Sequence, residues 1–240
     1  MFHDDLLSHR QTVTGIVLLL LLSADAVFVV VHIIHELWPF YLAYDMLYSL
    51  GTDRGYAEIF QYVKTYWIVI MFAILWRRTG EPVYGAWMLL YTYLLCDDVF
   101  QIHEHGGNII SSLLGYQGAF GLRAKDFGEL TVSGIAGVTF LLLLGVTFLR
   151  STRKARDVSK DLILLLGALV FCGVVVDMLH QAAGGRYTVL ILGIFEDGGE
   201  MVAMSATCWY VLNLVERRGN TPISLWQLTK SALTRLQLTR

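Results

Sequence analysis

An all-helical integral membrane protein is the fold class this sequence predicts, and three observations predict it. The chain of 240 residues is 55% hydrophobic and only 16% charged, with a mean hydropathy of +0.56, well beyond an ordinary soluble domain. Its apolar residues gather into runs such as "TVTGIVLLLLLSADAVFVVVHII", and about 20 such residues cross a bilayer as helix. Its basic residues are segregated between alternate connections. One set holds Arg10, Arg77, Arg78, the "RSTRKARDVSK" loop and the C-terminal tail. The other holds only Arg54, Arg123, Lys125 and Arg186.

Six runs meet the length criterion: Thr12–Leu37, Glu58–Trp76, Pro82–His105, Gly128–Leu149, Lys160–Gln181 and Leu192–Val215. The first follows the polar start "MFHDDLLSHR". It is too long for a signal peptide and no A-x-A-like site follows it, so it reads as a retained helix. The cytoplasmic side takes the basic connections, which puts both termini in the cytoplasm. Paired in order, the spans give three hairpins over 12–77, 82–150 and 159–217, within a membrane domain covering 1–218. Residues 219–240 put Leu225, Leu228, Ala232 and Leu236 on one helical face with Lys230, Arg235 and Arg240. That pattern predicts an amphipathic helix on the inner membrane surface.

The hairpins also carry a repeat. "KDFGEL" and "FEDGGEM" share Asp-x-Gly-Glu, so that Asp126 and Glu129 precede Asp197 and Glu200 by 71 residues. The same step joins Glu58 to Glu129 and His32 to His103. The three cysteines, Cys96, Cys172 and Cys208, lie inside predicted helices without metal-type spacing. The net charge of −2 is uninformative, and nothing in the sequence suggests nucleic-acid binding.

On this topology the ionisable residues fall at one level, in the outer half of the membrane. Asp25, His32, His35 and Glu36 end the first span; Asp97, Asp98, Gln101, His103, Glu104 and His105 end the third; Asp177 and His180 end the fifth. Returning spans begin with Glu58, with Asp126 and Glu129, and with Glu196, Asp197 and Glu200. No matching cluster is expected toward the inner face. Helical spacing puts Asp98, Gln101 and His105 on one face, and pairs Asp177 with His180 and Glu196 with Glu200. Asp126 and Asp197 also suit the first turn of a helix, where the dipole favours acids.

Each ionised side chain at mid-membrane costs about 2.5–3.5 kcal/mol, and clustered carboxylates repel one another. Protonation, a basic partner or a bound cation relieves this. Acids outnumber bases here, with Lys64 and Arg186 as the basic candidates, so a divalent cation is expected. Imidazole with carboxylate suits Zn, Fe or Mn, one or two ions. The expected ligands are His32, Glu58, Asp98, His105, Glu129, Asp177, His180 and Glu200, with Asp97, Glu104 and Glu196 as the catalytic or supporting carboxylates. The ligand mix is similar to that of membrane carboxylate di-iron proteins. Their paired Glu-x-x-His motifs are missing, and Asp-x-x-His occurs once, at Asp177 and His180.

The expected function is therefore a membrane metalloenzyme acting on a lipid or other hydrophobic substrate, by hydrolysis or oxidation, from the extracytoplasmic side. A transporter for a metal cation or proton-coupled solute is the alternative, and a metal-binding subunit or sensor is the third reading.

Overall fold

The computed structural model describes residues 2–38, 45–217 and 219, with side chains from residue 13 onward. Among these residues there is no strand, only an isolated antiparallel bridge between Ala119 and Leu122. The helices are α1 (Phe2–Leu37), α2 (Tyr56–Thr79), α3 (Pro82–Phe100), α4 (Ile102–Leu114), α5 (Ala124–Arg150), α6 (Arg153–Val170), α7 (Asp177–Ala182), α8 (Arg186–Gly193) and α9 (Gly199–Glu216). A π-helical turn at Phe171–Val176 joins α6 to α7, and another at Ile194–Gly198 joins α8 to α9. A short 3-10 turn, Met46–Tyr48, lies between α1 and α2.

Among the described residues, four helical stretches are long and apolar enough to cross a membrane: Val13–Leu37, Tyr56–Thr79, Ala124–Arg150 and Arg153–Ala182. The stretches 82–105 and 192–215, expected as spans, are not among the four. The reason lies in the packing. α3 and α9 line the interior, burying Tyr84, Trp87, Leu90 and Tyr91 from one and Met204, Cys208, Tyr210 and Val211 from the other. A helix that faces protein has no need of uniform apolarity. α2 packs on both of them, and Phe72 stacks on Trp87 and Tyr91 with ring centroids 6.3 and 5.8 Å apart.

The turns at one end of the bundle are tied together. Glu81 Oε2 accepts the Thr152 amide at 3.1 Å, and the Val83 amide donates to Ser151 Oγ at 3.3 Å. Thr152 caps α6 through its own side chain, which accepts from the Ala155 amide.

The expected Pro82–His105 span is corrected to a broken rod. Gln101 adopts a left-handed conformation (φ 51°, ψ 46°) that ends α3 and starts α4. α4 then lies against the start of α5 at backbone distance, because Gly107 and Gly128 face each other. The three-hairpin repeat is not established, since the three returning helices begin differently. α2 starts at Gly55 without a side-chain cap, α5 starts with a reciprocal Arg123–Asp126 capping box, and α9 continues from α8 through a π turn. The tail expected to form a surface helix, 220–240, lies outside the described residues.

Candidate functional site

The two π turns set the geometry of the polar cluster. A π turn inserts an extra residue into a helix, and such bulges occur often at functional sites. Here the two turns pack on each other. Glu200 Oε1 lies so close to Gly173 that a Cβ there would overlap it, and Cys172 Sγ fills the space beside Gly199. Only glycine at 173 lets the carboxylate sit in this place.

Around this junction the carboxylates crowd together. Glu196 Oε2 is 2.5 Å from His180 Nδ1 and within hydrogen-bonding reach of Asp177. The side chains of His180, Glu196 and Asp177 thus form one connected series. Asp197 interacts electrostatically with Glu196, Asp177, His180 and Glu58. Glu200 does so with Asp197, Asp98, Glu196 and Asp177. Six acids from α2, α3, α7, the second π turn and α9 thus share one field, with His180 as the imidazole among them. Among the described residues, no three His, Cys, Asp or Glu side chains stand close enough, as placed, to hold one metal ion.

Two cations border the cluster, and both are engaged. Lys64, fully buried, donates to Asp25 Oδ1 at 2.9 Å, to the Met201 carbonyl at 3.0 Å and to Ser205 Oγ at 3.2 Å. Ser205 in turn donates to Asp25 Oδ2 at 2.5 Å. Arg123 lies outside the spans and grips Asp126 through Nε and Nη2, while its Nη2 also reaches Gln181 of α7 at 3.2 Å. The Asp126 hydrogen bond raises the Arg123 pKa further above its ordinary value.

Several expected site residues are placed elsewhere. The ladder of Asp98, Gln101 and His105 does not form, because one left-handed residue at 101 breaks the helical register. Gln101 instead donates to Asp53 Oδ2 at 2.8 Å and to Glu104 Oε1 at 3.2 Å. His105 is exposed and bonds back to the Gln101 carbonyl at 2.8 Å. Asp97 accepts from the His103 amide at 2.8 Å and from His103 Nδ1 at 3.0 Å. It satisfies the open start of α4 and so holds the break in place.

Glu129 pairs with Lys125 at 3.4 Å, one turn back on α5. His32 accepts the Leu50 amide on Nδ1 at 3.1 Å, which puts its proton on Nε2 and leaves neither nitrogen a lone pair for a metal. Glu58 remains at the cluster while also accepting the Arg54 amide. From the expected ligands the fold gathers Glu58, Asp98, Asp177, His180 and Glu200, and Glu196 joins them. His105, Glu129 and Glu104 are engaged elsewhere, whereas His32 and Asp97 interact electrostatically with His180 and Asp98 while held by the Leu50 amide and by His103.

The end of the bundle away from the cluster is also less bare than expected. Asp161 is fully buried and accepts from Tyr210 Oη at 2.7 Å, and Trp87 Nε1 donates to Ser159 Oγ at 3.1 Å. Asp161 stands out in the sequence as an acid beside "LILLLGALVF", and Ser205 carries no signal of its own.

A family model described as a domain of unknown function (DUF8692) matches residues 11–214. No curated protein and no solved structure matches the chain.

Proposed function

We propose that this chain, which belongs to the DUF8692 family, is an integral membrane protein that binds a divalent cation at its carboxylate cluster and uses it on a lipid or other hydrophobic substrate. Both termini are cytoplasmic in this reading, and the cluster opens toward the extracytoplasmic leaflet. The carrying observation is the contact of His180 with Glu196, itself within reach of Asp177, with Asp98, Asp197, Glu200 and Glu58 in the same electrostatic neighbourhood. A cation bound there would relieve the repulsion among these acids and would find imidazole and carboxylate donors. Small rotations of the carboxylates would complete its ligand set. Held by these side chains, such a cation would supply Lewis-acid polarisation of a substrate or of water, and Asp197 or Glu200 would stand as proton acceptor.

Elemental analysis and thermal unfolding test this reading. Zn, Mn or Fe at a hundred times its Kd should stabilise the protein by about 2.7 kcal/mol. Glu200→Gln and Asp177→Asn should each reduce that gain strongly. Gly173→Ala should also weaken it while leaving the fold intact, because the new Cβ meets the mobile end of Glu200. A protein that carries no stoichiometric metal and gains nothing from any of the three ions sinks the proposal.

One observation favours a second reading, proton- or cation-coupled transport. Lys64, Asp25 and Ser205 continue the polar groups inward from the cluster, and Asp161 with Tyr210 lies in the inner half. The Phe72, Trp87 and Tyr91 rings stack together in the core of the bundle. Uptake into proteoliposomes that Asp177→Asn abolishes would favour transport over chemistry.

A further inference from the structure

The geometry points to a binding site for an anionic phospholipid headgroup at the junction of α5 and α6, at the opposite end of the bundle from the carboxylate cluster. It stands independently of the cation reading. A cavity of about 470 Å³ opens there, lined by Phe148 of α5 and by Arg153, Arg156, Asp157 and Lys160 of α6. Its size falls within the range of about 300–1,000 Å³ usual for small-ligand clefts. Arg153, Arg156 and Lys160 recur at i, i+3 and i+7, so they share one helix face.

Two features call for an anion. First, the cavity carries more positive than negative charge, since only Asp157 opposes the three bases, and it is taken by Lys160 at 2.7 Å. Second, the Arg156 guanidinium lies over the Phe148 ring, 5.9 Å from its centroid, which fixes the orientation of its donors.

The surroundings select a lipid over a soluble anion. The candidate spans Ala124–Arg150 and Arg153–Ala182 end and begin at this cavity, which places it at the membrane edge. Below it, continuing the same helix faces into the apolar region, come Ile163 on α6 and Leu141 on α5, 44% and 61% exposed. A headgroup phosphate among the bases thus has an apolar track for its acyl chain. By the charge distribution of the connections this is the cytoplasmic leaflet, where basic pockets between helices take acidic headgroups.

Native mass spectrometry of the full chain, with phosphatidylglycerol, phosphatidylcholine or inorganic phosphate added in separate arms, tests the site. Phosphatidylglycerol should be retained in preference to phosphatidylcholine, and Arg156→Gln should weaken its retention about fivefold, the usual worth of one basic side chain at an anionic surface. Arg77→Gln, an exposed charge removed from the same end of the bundle, should change nothing. Arg156→Lys keeps the charge but loses the planar fork, and should weaken binding without unfolding the protein; Arg153→Gln gives an independent reading. Equal retention of the two lipids would overturn the inference. So would equal losses in Arg77→Gln and Arg156→Gln, which would mark general surface charge, or displacement of the lipid by inorganic phosphate at matched concentration.

Discussion

Lys64→Met is expected to destabilise the protein by about 3–5 kcal/mol, as breaking one side of a buried ion pair usually does. Lys64 is fully buried and Asp25 is 2% exposed, so the aspartate left behind has neither water nor a counter-charge. Ser205 would still donate to it, but one hydroxyl does not replace an ammonium that also satisfies the Met201 carbonyl. Asp25→Leu alone should be similarly severe, because it strands the lysine instead. The double variant Lys64→Met with Asp25→Leu should recover most of the loss, since apolar residues of similar volume often replace a buried pair at little net change. Unfolding in detergent with increasing denaturant would compare the three. If the double variant is as unstable as the sum of the singles, the pair acts through packing and the electrostatic account fails.

This pair also shows where the sequence is legible. Lys64 and Asp25 are visible as ionisable residues inside apolar runs, and both invite a functional reading. Their pairing is not visible, because it depends on α1, α2 and α9 meeting at one point 39 and 141 residues apart along the chain. The helical class and the apolar stretches follow from composition and run length alone, which need no tertiary information. The gathering of several acids near helix ends is legible for the same reason, as each acid's place follows from its distance to the end of an apolar run.

Facing is harder to read than depth. The expected alignment of Asp98, Gln101 and His105 assumes about 100° per residue without interruption. Gln101 breaks that assumption, and glutamine gives no warning of a left-handed backbone as glycine or asparagine would. The compensation is nearby, in the Asp97 carboxylate that satisfies the start of α4. Read by itself, Asp97 is one more acid in the outer half. In the fold it is the cap that makes the break affordable. The π turns have the same effect on Glu196 and Glu200. They lie on the two sides of a register change, and it is the packing of one π turn on the other that brings both beside Asp177.

Gly128→Val is expected to separate α4 from α5 and to lower stability by at least the roughly 1–3 kcal/mol typical of overpacking. A Cβ at Gly128 would overlap the Gly107 carbonyl, and a Cβ at Gly107 would overlap the backbone of Glu129. Neither obstacle is the end of a side chain, so no rotamer change relieves the clash and the helices must part. Parting them also moves His103, which Asp97 holds at the break, and Glu129 with its partner Lys125. The carboxylates of α7 and α9 are not carried by this contact and should keep their places. Gly128→Val is therefore expected to lower the unfolding temperature while leaving any cation-dependent stabilisation intact. Gly173→Ala should do the reverse, because its new Cβ meets only the Glu200 carboxylate. Thermal unfolding of both variants with and without Zn, Mn or Fe separates the two effects. Loss of the cation response in Gly128→Val at temperatures where it remains folded would show that α4 belongs to the site after all.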